Sequence, residues 1–568
     1  MQKLALFTRH SWARIAGSDR LVPYRTYVTD TGIEGRPALL EPTIFALSTA
    51  PGRAAIAVIR ISGPACAVIY QSLCPGQKPL KPRFAAVRSL HQPNARPSPD
   101  SLLDASALAL YFPAPRTATG EDVLELHVHG GTAVVKAVLS AIPRCTAKTG
   151  AIRYAEPGEF TRRAFMNDRL DLTQVEALGD TLSAVTEQQR RLSVRGTSTA
   201  LAQRYEDWRK QLLYARGELE ALIDFSEDQH FDESPALLTA SVSDQVRNLK
   251  RLLEAHSQNA VRGELLRSGI SISLLGAPNA GKSSLLNRVV GREAAIVSQE
   301  AGTTRDVVEV GIDLSGYFCR LGDTAGLRSA KTIASHGATN QMTETIGLIE
   351  QEGMRRAKER AAESDVVIVV FSIEYEDGRA ILKLDSEVVE TAARLSELKG
   401  NVLVILNKID RIAETTVDVS VAEDEICRAL PHLRREHIFP ISCTAPAEKS
   451  NISAFLGGLT NKFREMTSPL AATDSEADPA VWQESLGATE RHRLLLEECQ
   501  IHLQQFLLEV WNAAGQDVSP EMQLEPDGDV DIVLAAESLR AAANCLARIT
   551  GKGEAGDVEE VLGVVFEK

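Results

Sequence analysis

The run Gly276-Ala277-Pro278-Asn279-Ala280-Gly281-Lys282-Ser283 constrains this chain more than any other segment. It fits the pattern GxxxxGK(S/T), follows the apolar run ISISLL and precedes a helix-compatible run. Its glycines let backbone N–H groups wrap phosphate oxygens at a helix N-terminus, where the helix dipole favours anions. Lys282 would reach the outer phosphates and the Ser283 hydroxyl would ligate Mg²⁺. Such a loop works only between a strand and a helix. The surroundings agree: from Ile270 to about Lys462 the β-rich runs ISISLLG, VVIVVFS, NVLVILN and HIFPIS alternate with helical patterning, which predicts a parallel α/β sheet.

Four further signals follow in order. Gly302-Thr303-Thr304-Arg305-Asp306 supplies a threonine able to complete a Mg²⁺ shell when a γ-phosphate is present. Asp323-Thr324-Ala325-Gly326 follows a strand expected to end near Leu321; Asp323 would hold the metal through water and the Gly326 N–H would sense the γ-phosphate. Asn407-Lys408-Ile409-Asp410 follows NVLVIL. The Asp410 carboxylate can accept two hydrogen bonds from the ring N–H and amino group of guanine, which adenine does not offer, a discrimination of roughly 10⁴-fold. Ser442-Cys443-Thr444, after HIFPI, sits where the last base-contacting loop belongs. Four such signals in order predict a GTP-hydrolysing domain.

Many regulatory GTPases carry a glutamine directly after the DxxG glycine to orient the attacking water. Here that residue is Leu327, so hydrolysis needs another group. Arg305 and Arg328 are candidates for an arginine finger and equally for solvated surface charges. The Asn279 side-chain carbonyl offers a monovalent cation a place beside the phosphates, where it would supply the positive charge an arginine normally provides.

The rest of the chain sets limits on this reading. At about 150 residues per domain, 568 residues imply three or four domains. The balance of 62 Lys+Arg against 76 Asp+Glu leaves −14, which excludes a protein coated in phosphate-neutralising charge but allows a local basic groove. No apolar run reaches the roughly 18–20 residues of a bilayer span; the strongest, Val366 to Val370, is strand-length. The eight cysteines are scattered without metal-ligand spacing, so neither a disulfide framework nor a zinc ribbon is expected. Thr43 to Ile61 reads as two strands about a Pro51-Gly52 turn, residues 92–101 as a loop, and Ala105 to Phe112 as a strand. Leu172 to about Val261 and then Leu494–Leu507 and Ile532–Ile549 have helical periodicity, with a linker over 471–480. The α/β module thus reads as inserted between two helical stretches able to close on each other. Residues 1–29 carry Lys3, Arg9, Arg14, Arg20 and Arg25 but only one acid, Asp19, interleaved with apolar positions; they read as an organellar transit peptide or as a disordered tail of chance composition.

The segments GAPNAGKSSLLN, GREAAIVSQEAGTTRD and DTAGLR closely resemble the MnmE/TrmE tRNA-modification GTPases, as do residues 50–64, 111–131, 156–178 and 222–228. The resemblance runs from about Thr43 to the end. It implies a multidomain α/β protein: a leader (1–42), an N-terminal tetrahydrofolate-binding and dimerisation domain (43–165), a helical domain in two parts (166–267 and 467–568) and an inserted Ras-like P-loop GTPase domain (268–466). It places folate contacts on Arg60 and Glu125, with Arg169 where the family motif has lysine. It assigns Mg²⁺ to Ser283 and Thr304, and K⁺ to Asn279, Ser298, Glu300 and Thr303. It adds Ala280, Ser284, Gln299 and Ala301 to the nucleotide contacts. The family's water-orienting glutamate falls on Glu350, with Glu344 and Glu352 as rivals because residues 328–345 read as an insertion.

The family works on tRNA with an FAD-containing MnmG/GidA-type flavoprotein, installing a carboxymethylaminomethyl-type group at carbon 5 of the wobble uridine. The leader makes the expected compartment the mitochondrial matrix. The resemblance also implies a homodimer through the N-terminal domain and GTP-dependent, K⁺-assisted pairing of the GTPase domains. One departure stands out: the family ends in a Cys-containing tail, typically FCIGK, whereas this sequence ends at Lys568 without it. The expectation is a truncated chain or gene model, or impaired modification with GTP hydrolysis intact. Cys545, about a helix away, is expected to be a buried core thiol. Two other functions compete: a ribosome-assembly or translation GTPase, and a GTPase scaffold without modification activity.

Overall fold

The computed structural model describes residues 42–145, 150–225, 235–292, 295–299, 310–321, 355, 358–376, 379–411, 419–446, 450–470, 479–513 and 532–552. By contacts the chain divides into two units, Met1–Ala155 and Glu156–Lys568. The division falls ahead of the 165/166 boundary expected from the sequence.

The first unit is a six-stranded sheet in the order β3-β4-β5-β2-β1-β6. Its strands are β1 (Thr43–Leu47), β2 (Ile56–Ser62), β3 (Ala86–His91), β4 (Leu102–Phe112), β5 (Val123–His129) and β6 (Ile152–Tyr154). Helices α1 (Cys66–Leu73) and α2 (Thr132–Ala141) accompany it. Strand residues alternate between faces. Ile59 and Ile61 of β2 with Leu124, Leu126 and Val128 of β5 enter a core that also takes Ile69 and Leu73 of α1 and Val138 of α2. Each such side chain, fully buried, contributes roughly 1.5–3 kcal/mol. The other phase of the same strands turns Arg60, Glu125 and His127 outward, half-buried.

The second unit opens with α3 (Glu159–Met166), α4 (Leu172–Ser183), α5 (Glu187–Gly196), and the long α6 (Ala200–Phe225) and α7 (Pro235–Ser268). Asp171 starts α4 with a capping box: its carboxylate accepts from Gln174 N while the Gln174 side chain reaches back to Asp171 N. The chain then enters the α/β module through β7 (Ile270–Leu275), α8 (Lys282–Arg292), β8 (Ala295–Gln299), β9 (Val310–Leu314) and β10 (Tyr317–Leu321). It continues with β11 (Val366–Glu376), β12 (Arg379–Lys383), α9 (Ser386–Lys399), β13 (Val402–Asn407), α10 (Val419–Ala429), β14 (Ile438–Pro440) and α11 (Ile452–Thr467). It leaves through α12 (Pro479–Ser485), α13 (Glu490–Ala513) and α14 (Ile532–Thr550).

The sheet runs β14-β13-β11-β7-β10-β9-β8, with β12 paired to β11. The run β14 to β10 is parallel, as the alternation predicted, but the sheet as a whole is mixed: β9, β8 and β12 are antiparallel to their neighbours. The reason is local. Ser315 and Gly316 take positive φ (55° and 89°) and close β9 onto β10, and a two-residue turn of that kind joins only antiparallel strands.

The helical stretches on either side of the module do close on one another. Tyr205, Trp208 and Leu212 of α6 share a core with Leu249 and Leu253 of α7, Leu496, Leu503 and Phe506 of α13, and Leu539, Leu546 and Ile549 of α14. Cys545 is buried in this core, and burial pushes its thiol up to about 12. All eight cysteines are free thiols. The two crossings into the module are stapled together by α7. Asn259 donates to Leu470 O (2.9 Å) and Ser485 Oγ (2.9 Å) and accepts from Leu470 N (2.7 Å). Arg262 donates to the carbonyls of Glu465, Met466 and Ser468. At Gly263 a Cβ would sit 1.9 Å from Leu486 O, so glycine is required where the chain returns. Among the described residues no helix is long and apolar enough to cross a membrane.

Candidate functional site

The phosphate loop lies between β7 and α8, as the sequence predicted. Strand β7 is central because Ile270, Ile272 and Leu275 are buried, and it pairs in parallel with β10 and β11. Asn279 and Gly281 both take positive φ (62° and 101°), which turns the chain tightly, and Ala280 N–H closes the turn on Ala277 O (3.3 Å). Gly281 is irreplaceable for a second reason: a Cβ there would lie 2.0 Å from Asn407 Nδ2. The Lys282 ammonium donates to Gly276 O (2.6 Å) and Ala277 O (2.8 Å), across the mouth of the loop. Ala280 is buried; Asn279, Ser283 and Ser284 are exposed around it.

Strand β13 is buried throughout and delivers Asn407 at its C-terminal end. The Asn407 amide donates to Ala280 O (2.9 Å), and its oxygen accepts from Lys408 N (2.8 Å), so the base-reading loop is pinned to the phosphate loop. Lys408 takes a left-handed φ of 65°, and Ile409–Arg411 form a short 3₁₀ turn carrying Asp410. Ser442 is buried and donates its hydroxyl to Asp410 Oδ1. Its oxygen also accepts from Ala445 N (3.1 Å), while Arg288 of α8 donates to Ala445 O (2.9 Å). Asn407, Lys408, Asp410, Ser442, Cys443 and Thr444 therefore come together with Asn279 to Ser284 at the C-terminal edge of the parallel strands, where open α/β sheets bind their ligands.

A cavity of about 350 Å³ adjoins this edge, lined by Asn279, Ala280, Glu374, Tyr375, Asp385 and Lys408 among others. The β11–β12 hairpin on its wall has no counterpart in the sequence-based expectations. Its signal was the dipeptide Asp377-Gly378 after an apolar strand, a hairpin marker.

Ser298 and Gln299 fall on β8, paired with Gly311 and Val310. Glu300, Ala301, Gly302, Thr303, Thr304, Asp323, Thr324, Ala325, Gly326 and Glu350, with the rivals Glu344 and Glu352, lie outside the described residues.

In the first unit the register pairs Arg60 of β2 directly with Glu125 of β5. Arg60 Nε and Nη2 both bond Glu125 Oε1, at 2.9 and 2.8 Å, which leaves Oε2 facing His127 Nε2 at 3.6 Å. The next outward residue of β5, His129, donates its Nδ1 proton to the buried Asp104 carboxylate of β4 (2.9 Å). Arg169 belongs to the second unit, exposed in the connection from α3 to α4, with its N–H bonded to Ala164 O.

A GxxxxGKS loop between a parallel strand and a helix, pinned to an Asn-Lys-x-Asp loop, is the arrangement of a P-loop GTPase, here carried on a helical domain. Residues 43–169 match the family described as GTP-binding protein TrmE N-terminus, and residues 172–568 match the MnmE helical domain. The chain belongs to the MnmE/TrmE family of tRNA-modification GTPases. It is 36% identical to the tRNA modification GTPase mss1, mitochondrial, of Schizosaccharomyces pombe over 93% of this chain and 94% of that one. It is 38% identical to the tRNA modification GTPase MnmE of Paramagnetospirillum magneticum, over 93% of this chain and 99% of that one. To the 5-taurinomethyluridine-(tRNA) synthase subunit GTPB3, mitochondrial, of Danio rerio it is 35% identical, over 100% of this chain and 99% of that one.

Proposed function

We propose that this tRNA-modification GTPase acts with an FAD-containing flavoprotein of the MnmG/GidA type to form a carboxymethylaminomethyl-type group at carbon 5 of the wobble uridine of mitochondrial tRNAs. The observation that carries this reading is the Arg60–Glu125 pair on the outward face of the first sheet. A GTP-switched assembly factor needs no such polar pair on a separate α/β unit. A tetrahydrofolate derivative that supplies one carbon does, because its ring amide and amino groups seek a carboxylate oxygen, and Glu125 Oε2 is the one Arg60 does not hold. The relatives named as mitochondrial support the mitochondrion as the compartment; within it we place the protein in the matrix, reached by a leader over residues 1–42. The relative named for 5-taurinomethyluridine supports carbon 5 as the modified atom.

Two metals belong to this reading. The Ser283 hydroxyl, exposed on the first turn of α8, is a hard oxygen donor of the kind Mg²⁺ takes, with Thr304 as its switch-loop partner. Asn279, exposed on the loop in a left-handed conformation, presents a carbonyl oxygen suited to K⁺, with Ser298, Glu300 and Thr303 completing the set. Bound K⁺ supplies the positive charge that an arginine finger supplies elsewhere. Glu350 orients the attacking water, a task Leu327 cannot perform. The functional unit is a homodimer through the N-terminal domain, with GTP-dependent pairing of the GTPase domains.

The test is mass spectrometry of wobble uridines from cells in which this chain is the sole family member. Carbon-5 modification that disappears with the flavoprotein supports the proposal. Unmodified uridine beside normal GTP turnover would leave a GTPase scaffold as the correct description.

A further inference from the structure

We infer that Glu374 is a positioning residue for guanine recognition, holding the base-reading loop from a hairpin outside the nucleotide motifs. Glu374 lies near the end of β11, in register with Ile381 of β12. One carboxylate oxygen takes the Lys408 ammonium and the other the Arg411 guanidinium. Ser372, a buried neighbour on the same strand, adds its hydroxyl to Oε1 at 3.1 Å. Arg411 also donates to Ile373 O (3.3 Å), and the Tyr375 hydroxyl donates to Arg411 O. The hairpin thus grips the loop on both sides of Asp410.

That grip has a physical task. A non-glycine residue in the left-handed region costs about 1–2 kcal/mol, and Lys408 sits there at φ 65°. Such a conformation persists only where its surroundings over-determine it. Two anchors come from the motifs themselves: Asn407 to Ala280 O, and Ser442 to Asp410. Neither bond involves the Lys408 or Arg411 side chain. Glu374 binds both, and it is ionised to do so. Burial alone would raise its carboxyl, but the bonds from Lys408, Ser372 and Arg411 hold it below the usual carboxylate range. With the carboxylate removed, Lys408 and Arg411 lose the counter-charge they share and the turn is free to relax. Asp410 then loses the alignment that lets it accept from both the ring N–H and the 2-amino group of guanine.

The experiment compares GTP with ITP, whose base lacks the 2-amino group, on the full chain. Glu374→Gln keeps the shape and removes the charge; Glu374→Ala removes both. Each is expected to weaken GTP binding by about tenfold and to cut the GTP-over-ITP affinity ratio by about fivefold, because an aligned charge-assisted hydrogen bond is being lost. The turnover number at saturating GTP stays within about twofold, since the affinity loss falls on base recognition. Arg411→Gln, which removes one arm of the grip, gives a smaller fall in the same ratio. It also keeps the test alive if a Glu374 variant fails to fold. An unchanged ratio, or equal weakening of both nucleotides, overturns the proposal and reduces Glu374 to a stabilising contact.

Discussion

In the second unit, the nucleotide-binding motifs read from the sequence arrive in short contiguous loops, Gly276–Ser283 and Asn407–Asp410, each directly after a buried strand. In the first unit, Arg60 and Glu125 stand 65 positions apart and meet because β2 and β5 pair in one register. Local chemistry writes the first kind of site into a motif. Strand register writes the second, and a slip of either strand by one residue would turn its member of the pair into the core and leave the other alone on the surface. The nucleotide end should therefore fail at single residues, whereas the Arg60–Glu125 face should fail by loss of pairing while the sheet survives.

The largest expected effect tests the first half of that contrast. Asp410→Asn exchanges a double acceptor for a group that cannot accept from both guanine N–H donors, and GTP affinity should fall by at least ~10²-fold. Equilibrium binding of a fluorescent GTP analogue reads this directly; affinity within threefold of the parent would break the reading of Asp410. Next comes Gly281→Ala, where φ of 101° and the 2.0 Å approach to Asn407 Nδ2 leave no room for a methyl group. We expect the Asn407–Ala280 bond to break, nucleotide binding to fall roughly 10- to 100-fold, and stability to drop by about 1–3 kcal/mol. Calorimetry and binding together check both.

Glu125→Gln probes the other region. It removes the carboxylate but keeps the side-chain shape, so folate binding, measured by titration with 5-formyltetrahydrofolate, should weaken about tenfold with GTP turnover unchanged. A parallel fall in GTP turnover would erase the contrast between the two regions.

The smallest effect at neutral pH belongs to the core of the helical domain. His256 is fully buried among Tyr205, Trp208 and Trp482, and burial, aided by Arg204, lowers its pKa from 6.5 to about 3. The folded state thus keeps this imidazole neutral while the unfolded chain binds a proton below 6.5. The stability it permits is complete above 6.5 and is lost progressively as pH falls toward 3, by up to roughly 1.4 kcal/mol per pH unit. Urea midpoints at pH 7, 6 and 5 should fall in the parent and fall less steeply in His256→Phe. Identical slopes would mean that another buried group sets the acid response.

Much of this was legible from residues alone. The end of β10 at Leu321, the delivery of Asn407 by NVLVIL, and the position of Ser442 after HIFPI were all read from apolar runs and the motifs that follow them. So was the closure of the two helical stretches into one core, because their apolar residues recur at a helical period. The mixed character of the sheet was not legible. A run such as FCRL or RAILK has the composition of a strand but says nothing about its neighbour's direction. Glu374 was invisible for a related reason: an isolated acid on a strand matters only through the cations that folding brings to it.

What the sequence determined by itself is therefore whatever chemistry demands of neighbouring residues: the phosphate loop, the Asn-Lys-x-Asp loop, and the helix and strand periods around them. The tertiary structure alone decided the contacts between distant positions. It set Arg60 against Glu125, made Asn259 and Arg262 the staple that holds the inserted module, and put Glu374 beside the base-reading loop. The physical reason is that backbone propensity and motif chemistry act over a few residues. Register, close approach and ion pairing depend on the whole core being packed before any one of them exists.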